Sequence, residues 1–556
     1  MLKPLKVVLG MVFLLSFFAP VFAESVDTAW VRRYDGSNGK DEALAIVVDD
    51  SGYVYVTGYT YNSTTDYDYG TIKYYPSGDT VWIRKYNGPD NGDDEGFDIA
   101  VDDSGYVYVT GMISSNGSGV DYGTIKYHPN GDTVWVRRYN GPGNSTDNPY
   151  ALAMDDSGYV YVTGYSNGSA TSADYATIKY RSDGDTVWVR RYDGPASLAD
   201  VAYAMAVDGS GSVYVTGGSR GSGTWEDCAT IKYHTNGDTA WVRRYNNPSQ
   251  NGYDRGLAIA VDAKDNVYVA GWSDGTGTGA DYFTIRYYPS GDTAWVRRYD
   301  GPADSTDWAT GIVVTDAGYV YVTGYSWGTG SSEDYATIKY DSSGNELWVK
   351  RFNCANGTDK PAAIALDGSN NIYVTGRSGC GGTTSHDYVT IKYYPDGDTA
   401  WLRKYQGPIE NGYDYAYALA VDDSGNVYVT GGSQGDGTSY DYCTIKYVQT
   451  PSAVKDETGD KEKPSEFDLS QNYPNPFNPT TKIEFTLAKR GFVTLQIYDV
   501  LGRKVRTLVS QELTSGRKSV IWDGKNEDDK EVASGVYFYQ LKVGDFSQPK
   551  KMLLLK

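Results

Sequence analysis

Histidine and cysteine are scarce in this 556-residue chain, with three His and four Cys. No Cys-x-x-Cys pair occurs, so a zinc site of cysteine type has no support. Four cysteines are also too few for a disulfide-dense scaffold. His128, His234 and His386 are far apart in the chain, and no nucleophile partner is identifiable for a His-based triad. Helical periodicity is missing from the body of the chain. Basic charge is missing too: the formal net charge is −21. From residue 465 to 556 there are 14 Lys/Arg against 11 Asp/Glu, a net of +3, which leaves −24 for the rest. Such a surface repels phosphate backbones, so nucleic acid is not expected as a partner. The longest apolar run, Val7 to Phe18, is shorter than the roughly 20 residues of a membrane span. It follows Lys3 and Lys6 and precedes Val21 and Ala23 at small-residue cleavage positions, so residues 1–23 read as a secretory signal peptide. No transmembrane segment is expected in the mature chain.

What is abundant is repetition. Trp recurs at 30, 82, 135, 188, 241, 295, 348 and 401. Val-Tyr-Val-Thr-Gly starts at 54, 107, 160, 213, 320 and 427, with variants at Val267 and Ile372. Thr-Ile-Lys-Tyr starts at 71, 124, 177, 230, 337, 390 and 444, with Thr-Ile-Arg-Tyr at 284. Three markers, eight times each in one order, define an eightfold repeat. Each copy holds four strand-like runs rich in Val, Ile, Thr and Tyr, bounded by Gly, Asp, Ser and Pro. That pattern predicts an all-β fold over 24–448, an eight-bladed β-propeller with four-stranded blades. Runs with alternating alanine, such as Ala43/Ala45 and Ala418/Ala420, are expected innermost, where space is least. The Trp runs are expected outermost, each ring wedged between blades and contributing roughly 2–3 kcal/mol by burial. The chain starts on an outer strand (28–34) and ends on a third strand (444–448). The N-terminal strand is therefore expected to close the last blade, which removes two open edges.

The turns after the first and third strands are short and lie on one face. Long, variable loops lie on the other, where function is expected. Two Asp positions recur there in every repeat: Asp41, 94, 147, 200, 254, 307, 359 and 414 before the first strand, and Asp68, 121, 174, 227, 281, 334, 387 and 441 at the third. A residue that serves every blade alike is expected to hold the blade, by accepting backbone N–H bonds. A ligand is expected to use what differs between blades. Trp225, Trp272, Trp308 and Trp327 are extra aromatics in these loops, suited to stacking on sugars, and His386 is a lone candidate base. No catalytic, cofactor-binding or metal-binding residue is assigned. Calcium is compatible with the acidic loops, but the Asp90–Gly96 stretch lacks the spacing of a calcium loop. Cys354 and Cys380 fall in two loops of one blade on the long-loop face, so a disulfide between them is expected in an oxidising compartment. Cys228 and Cys443 belong to opposite sides of the ring and are expected to stay free.

The Asp-x-x-Gly-x-Val-Tyr-Val-Thr-Gly core, as in 49–58 and 422–431, resembles the bacterial SBBP β-propeller repeat family. That resemblance implies fold and no reaction. Residues 449–466 (QTPSAVKDETGDKEKPSE) are polar and charged and read as a linker. Beyond it, 467–556 carries six or seven short strands, expected to form an Ig-like β-sandwich. Its Tyr473-Pro-Asn-Pro-Phe-Asn-Pro479 entry and Ile497-Tyr-Asp-Val-Leu-Gly502 closely resemble the C-terminal sorting domain of type IX secretion (Por system) cargo. So do Leu513-Thr-Ser-Gly516, Ala533-Ser-Gly-Val-Tyr-Phe-Tyr539 and Lys551-Met-Leu-Leu-Leu-Lys556. The resemblance implies a sorting motif at Leu513, Gly516, Gly535, Tyr537, Lys551 and Lys556. It also implies the type IX secretion machinery as partner and a secreted or outer-membrane surface-attached location. Similar Ig-like modules occur in flagellar hook-capping proteins. Together these readings point to a secreted or cell-surface binding or adhesion protein that presents a propeller face to a glycan or protein. The alternative is a secreted polysaccharide-active hydrolase or lyase.

Overall fold

The structure, a computed structural model, describes residues 25–555 except 116, 249–250, 278, 380–384, 438, 451–454, 458–466, 490, 514–515, 528–529 and 545. Residues 1–23, Cys380 and Lys556 lie outside the described residues. Every regular element described is a β-strand, and no helix is long and apolar enough to cross a membrane. The chain divides into two units, residues 26–449 and the segment from 450 onward.

The first unit is an eight-bladed propeller of four-stranded antiparallel sheets. Blade 1 is Glu42–Val48, Val54–Asn62, Asp66–Tyr74 and Thr80–Tyr86. Blade 8 is Asp414–Val421, Val427–Gln434 and Tyr440–Thr450, completed by Ser25–Tyr34 as its fourth strand. The ring thus closes through the N-terminal strand, as the phase of the repeat predicts. The first strands of neighbouring blades contact one another, which places the alanine-bearing runs innermost.

One local feature repeats in all eight blades and breaks the expected alternation. The first strand carries a β-bulge against the second, as between Ala43 and Ala45 opposite Gly58 and Thr57. The bulge presses a backbone carbonyl against the second strand, and this explains the glycine that ends each Val-Tyr-Val-Thr-Gly. A Cβ on Gly58 would lie 1.9 Å from the Glu42 carbonyl oxygen, and one on Gly271 1.8 Å from that of Arg255. No side chain fits there. A bulge also re-aims the side chain it carries, here Tyr150, Tyr203 and Tyr417 in three of the blades.

Blades are tied outward to their successors by one set of contacts. From blade 1, Trp82 Nε1 donates to the Pro129 carbonyl of blade 2 (3.0 Å), Arg84 Nε to Gly131 (2.7 Å) and Lys73 Nζ to Pro129 (3.3 Å). Deeper in, the Tyr69 hydroxyl reaches the Gly123 carbonyl and Tyr122 that of Ala176. The turn glycines serve twice. Gly78 has φ +84 and lies so close to the Trp30 ring that a Cβ would sit 2.7 Å from it. Blade 4 is an exception in the deeper layer. Cys228 stands where other blades have this tyrosine, and the facing residue of blade 5 is Phe283 in place of the Gly, Ala, Val or Cys of the other blades. The two pack in one buried cluster, so a large side chain from one wall replaces a large one from the other. Burial raises the thiol pKa of both Cys228 and Cys443 to about 12, and both are free. Cys354 is disulfide-bonded.

The joint from blade 7 to blade 8 cannot use this scheme, because blade 8 has no turn between its third and fourth strands. Gln449 supplies the missing acceptor. Its Oε1 takes the Trp401 indole N–H (3.2 Å) and the Lys392 ammonium (2.6 Å). Its Nε2 donates to the Tyr373 hydroxyl (2.9 Å) and to the Gly425 carbonyl. Arg403 Nε turns to the Val26 carbonyl (3.1 Å). Gln449, read from sequence as the first linker residue, therefore belongs to the propeller. Within the same expected linker, Lys455–Glu457 pairs with Arg517–Ser519 of the second unit.

That second unit is a sandwich of two four-stranded sheets. Strands such as Thr481–Leu487 alternate strictly between buried and half-buried residues, and Trp522, Phe485, Leu495, Tyr539 and Met552 fill the space between the sheets. The residues assigned to the sorting motif take structural places. Leu513 packs on the core, and Gly516 and Gly535 open strands at φ +126 and +156. Tyr537 packs edge-on to Trp522 and donates to the Ala533 carbonyl, and Lys551 pairs across strands with Phe538.

Replacing Gln449 by Ala takes the acceptor from the Trp401 indole N–H and the donor from the Gly425 carbonyl, so it is expected to cost about 2–3 kcal/mol. Pro129→Ala, which keeps the equivalent carbonyl, is expected to cost less than about 1 kcal/mol. Urea midpoints of the two variants check this.

Candidate functional site

The long-loop face is built on the two recurrent aspartates, and both are structural. The first ring holds loops. Asp147 accepts from the backbone N–H of Gly141 in the incoming loop (2.6 Å) and of Asn167 in its own blade (2.9 Å). Asp94 does the same with Gly88 and Ser114, and Asp307 with Gly301 and Trp327. The second ring anchors the outer strand. Arg191 pairs with Asp174 (2.6 Å), gives its other nitrogen to Ser166 Oγ (2.5 Å) and reaches the Tyr139 hydroxyl of the preceding blade (3.3 Å). Arg244–Asp227, Arg298–Asp281, Arg351–Asp334 and Arg33–Asp441 repeat the pair at 2.7–2.8 Å. Every loop base is thus fixed before any ligand arrives.

Three joints differ from the others. Asp35, Asp193 and Asp300 stand where other joints have Asn or Gln, and each meets one aspartate of each ring: Asp41 and Asp441, Asp174 and Asp200, Asp281 and Asp307. Their carboxylate oxygens lie within 4.8 Å of one another. Burial and the adjacent Asp281, Asp304 and Asp307 raise the Asp300 pKa to about 6. Among the described residues, these are places on the face where a divalent cation has carboxylates to bind, although each already includes an arginine partner for its second-ring aspartate.

The blades differ most in aromatics. Trp225 stacks obliquely on Tyr253 (5.5 Å), Tyr253 on Trp272 (6.4 Å), Trp272 on Trp308 (4.9 Å, 7° between planes) and Trp308 on Tyr325 (5.6 Å). This run crosses blades 4 to 6. Three of the four tryptophans singled out in the sequence meet in it. Trp327, half-buried, instead gives its backbone N–H to Asp307 (3.0 Å). An open cleft of about 400 Å³ sits on the run, lined by Trp272, Trp308, Ala280, Thr306, Asp274 and the glycines 275 and 279. Trp225 is 54% exposed. Cations edge the run. Arg220 lies over Trp225 (5.0 Å), Arg255 over Trp272 (5.4 Å) and Lys360 over Tyr325 (4.3 Å). Arg255 is also paired with Glu226 (2.8 Å) and Lys360 with Glu333 (2.9 Å).

His386 lies in the next blade, near Tyr413 (6.0 Å) and Tyr415 (5.7 Å). Burial and the nearby Arg377 guanidinium hold its imidazole below the usual value, so it is neutral at pH 7. Among the described residues, its Nδ1 is buried with no hydrogen-bond partner. Sequence reasoning missed Tyr253, Tyr325, Arg255 and Arg377. Their signal was present, as departures from the repeat at aligned positions.

Comparison with known proteins agrees with this architecture. The β-propeller repeat (SBBP) family model matches residues 29–63, 81–117, 134–169, 347–379 and 403–437. The FlgD Ig-like domain model matches 475–545. An uncharacterized WD repeat-containing protein of Acanthamoeba polyphaga mimivirus is 26% identical over 165 residues, which is 30% of this chain. The chain spans 8% of that relative's length. Among solved structures, the polysaccharide lyase Uly1 is similar with a TM-score of 0.40 at 13% identity, over 75% of this chain and 91% of that one. PorZ, a surface component of the type IX secretion system of Porphyromonas gingivalis, gives 0.33 at 14% identity, over 94% and 75%. A virginiamycin B lyase from Staphylococcus aureus gives 0.34 at 11% identity, over 76% and 99%.

Burial raises the carboxyl pKa of Asp94, Asp254 and Asp359 to about 6. A folded value above the unfolded one of roughly 3.9 means that their contribution is fully present below pH 3.9 and is lost as pH rises to about 6. Relative to Asp254→Asn, the wild type is expected to lose stability between about pH 4 and 6 and to stay level above it. Denaturant midpoints measured across that range read the difference.

Proposed function

We propose that this protein is an exported binding protein whose propeller holds a glycan on its long-loop face. The carrying observation is the aromatic run from Trp225 to Tyr325, which exists in blades 4 to 6 and is not part of the repeat. Flat rings beside a shallow open cleft suit the apolar faces of sugar rings, and the neighbouring Arg and Asp side chains suit their hydroxyls. The loops beneath are fixed by the aspartate rings, so little ordering cost falls on binding. Export rests on the signal-type residues 1–23. Delivery through type IX secretion to the surface or the medium rests on the sorting-type motifs of the C-terminal module. A second reading, a polysaccharide-active enzyme, draws on His386, the neutral imidazole with an unpartnered Nδ1.

Two outcomes are expected. On a glycan array, the full chain binds, and Trp225→Ala together with Trp308→Ala removes the signal while circular dichroism stays unchanged. Retained binding in that double variant contradicts the site, and shortening of a bound polysaccharide that stops in His386→Ala favours the enzyme. In the native host, a chain ending at Gln449 is expected to fold and to fail to reach the surface. Normal delivery of that shortened chain contradicts the sorting role.

A further inference from the structure

The bulge gives each blade one inner pair on the long-loop face: the residue after the first-ring aspartate and its cross-strand partner. In blades 1 and 2 the first of these is Glu42 and Glu95. In blades 5, 6 and 7 the pairs are Arg255–Trp272, Trp308–Tyr325 and Lys360–Arg377. At these paired positions the cations all fall in blades 5 to 7 and the carboxylates in blades 1 and 2. A domain that is strongly acidic overall therefore concentrates positive charge beside its stacked tryptophans. Among the described residues, two donors there, Trp308 Nε1 and Arg377 Nε, are buried and have no acceptor. Indole and guanidinium N–H groups can only donate, so whatever completes them must be an acceptor. Glu226 and Glu333 already occupy Arg255 and Lys360, whereas Arg377 lies over the Tyr415 ring (5.0 Å). The Arg377 guanidinium thus has no carboxylate partner among the described residues, and an anionic group arriving at this face gives it one.

From these observations we infer that the glycan is anionic, a uronate- or sulfate-bearing oligosaccharide lying across blades 5 to 7. A sugar ring stacks at Trp272 and Trp308, and its acid group is received by Arg377 with Lys360 beside it. This inference rests on the glycan-binding reading above and adds the ligand's charge and place. An arginine fork suits both carboxylate and sulfate, so the two sources share one chemistry. Neutral sugars would leave the guanidinium with only hydroxyl partners, and basic ligands would be repelled by it.

The test is calorimetry on the full chain with three probes: an oligogalacturonate, its fully methyl-esterified form and a carrageenan oligosaccharide, which carries sulfate and no carboxylate. One or both charged probes are expected to bind at least about tenfold more tightly than the ester, the loss expected for one charge-assisted hydrogen bond. Whichever charged probe binds identifies the acid group. Arg377→Gln is expected to erase that preference and leave the weaker binding of the ester unchanged, and Arg377→Lys to restore part of it. Thermal midpoints of both variants confirm folding. Equal binding of charged and neutral probes overturns the anionic inference while glycan binding stands. Binding of no probe, with none on the array, overturns both. A charge preference that survives Arg377→Gln overturns the assigned place.

Discussion

Trp82 and six of its seven counterparts reach out of their own blade to the backbone of the next, Trp401 reaches Gln449 instead, and the propeller depends on that reach. A four-stranded blade with one partner on each side cannot bury its own faces. It gains a core only by contact with its neighbours, so the array becomes stable as a closed ring. The outer layer of this contact uses side-chain donors on backbone carbonyls, as in Trp82 to Pro129 and Arg84 to Gly131. Backbone acceptors make the joint tolerant of sequence: the carbonyl oxygens of Pro129, Ser182 and Thr235 accept the indole N–H equally well. The joint fails only where the backbone itself is missing, and there Gln449 takes its place.

The same constraint separates two kinds of residue on the long-loop face. Aspartates that recur in every blade are consumed by loop N–H groups and by the outer-strand arginines. One oxygen of each arginine-paired carboxylate is engaged in this way, while Asp174, Asp227 and Asp334 keep an Oδ1 that is buried without a hydrogen-bond partner among the described residues. The inner pairs set up by the bulge carry no such duty, because the ring is already held from outside. They are free to vary, and they do so from Glu42 in one blade to Arg255, Trp308 and Lys360 in others. A shared framework with unlike inner residues is a physical basis for a ligand site on a repeat protein.

Much of this was legible in the sequence because eight copies act as internal evidence. Blade number, strand order and closure by residues 28–34 follow from the phase of three markers. The structural role of the aspartates follows from their presence in every copy. Other features were hidden for definite reasons. The bulge leaves no trace except the invariant glycine opposite it, which reads equally well as a turn residue. Gln449 follows the last marker and precedes a charged stretch, so composition assigned it to the linker. Its role depends on the absence of a turn elsewhere. Cys228 and Phe283 are 55 positions apart, and their exchange of bulk shows only once blades 4 and 5 face each other. Of the loop tryptophans, Trp225, Trp272 and Trp308 converge because blades 4 to 6 are neighbours. Trp327 lies on the same loops but outside that run of rings.

The central claim is that what the blades share holds the ring and what they do not share binds the ligand. It is tested most directly by measuring thermal midpoint and polysaccharide retention together on a matched pair of variants, Arg191→Ala from the shared framework and Tyr325→Ala from the aromatic run. The account predicts that Arg191→Ala lowers the midpoint and leaves retention intact, while Tyr325→Ala abolishes retention with little change in midpoint. Loss of retention in Arg191→Ala at a temperature where it remains folded, with normal retention in Tyr325→Ala, would contradict it.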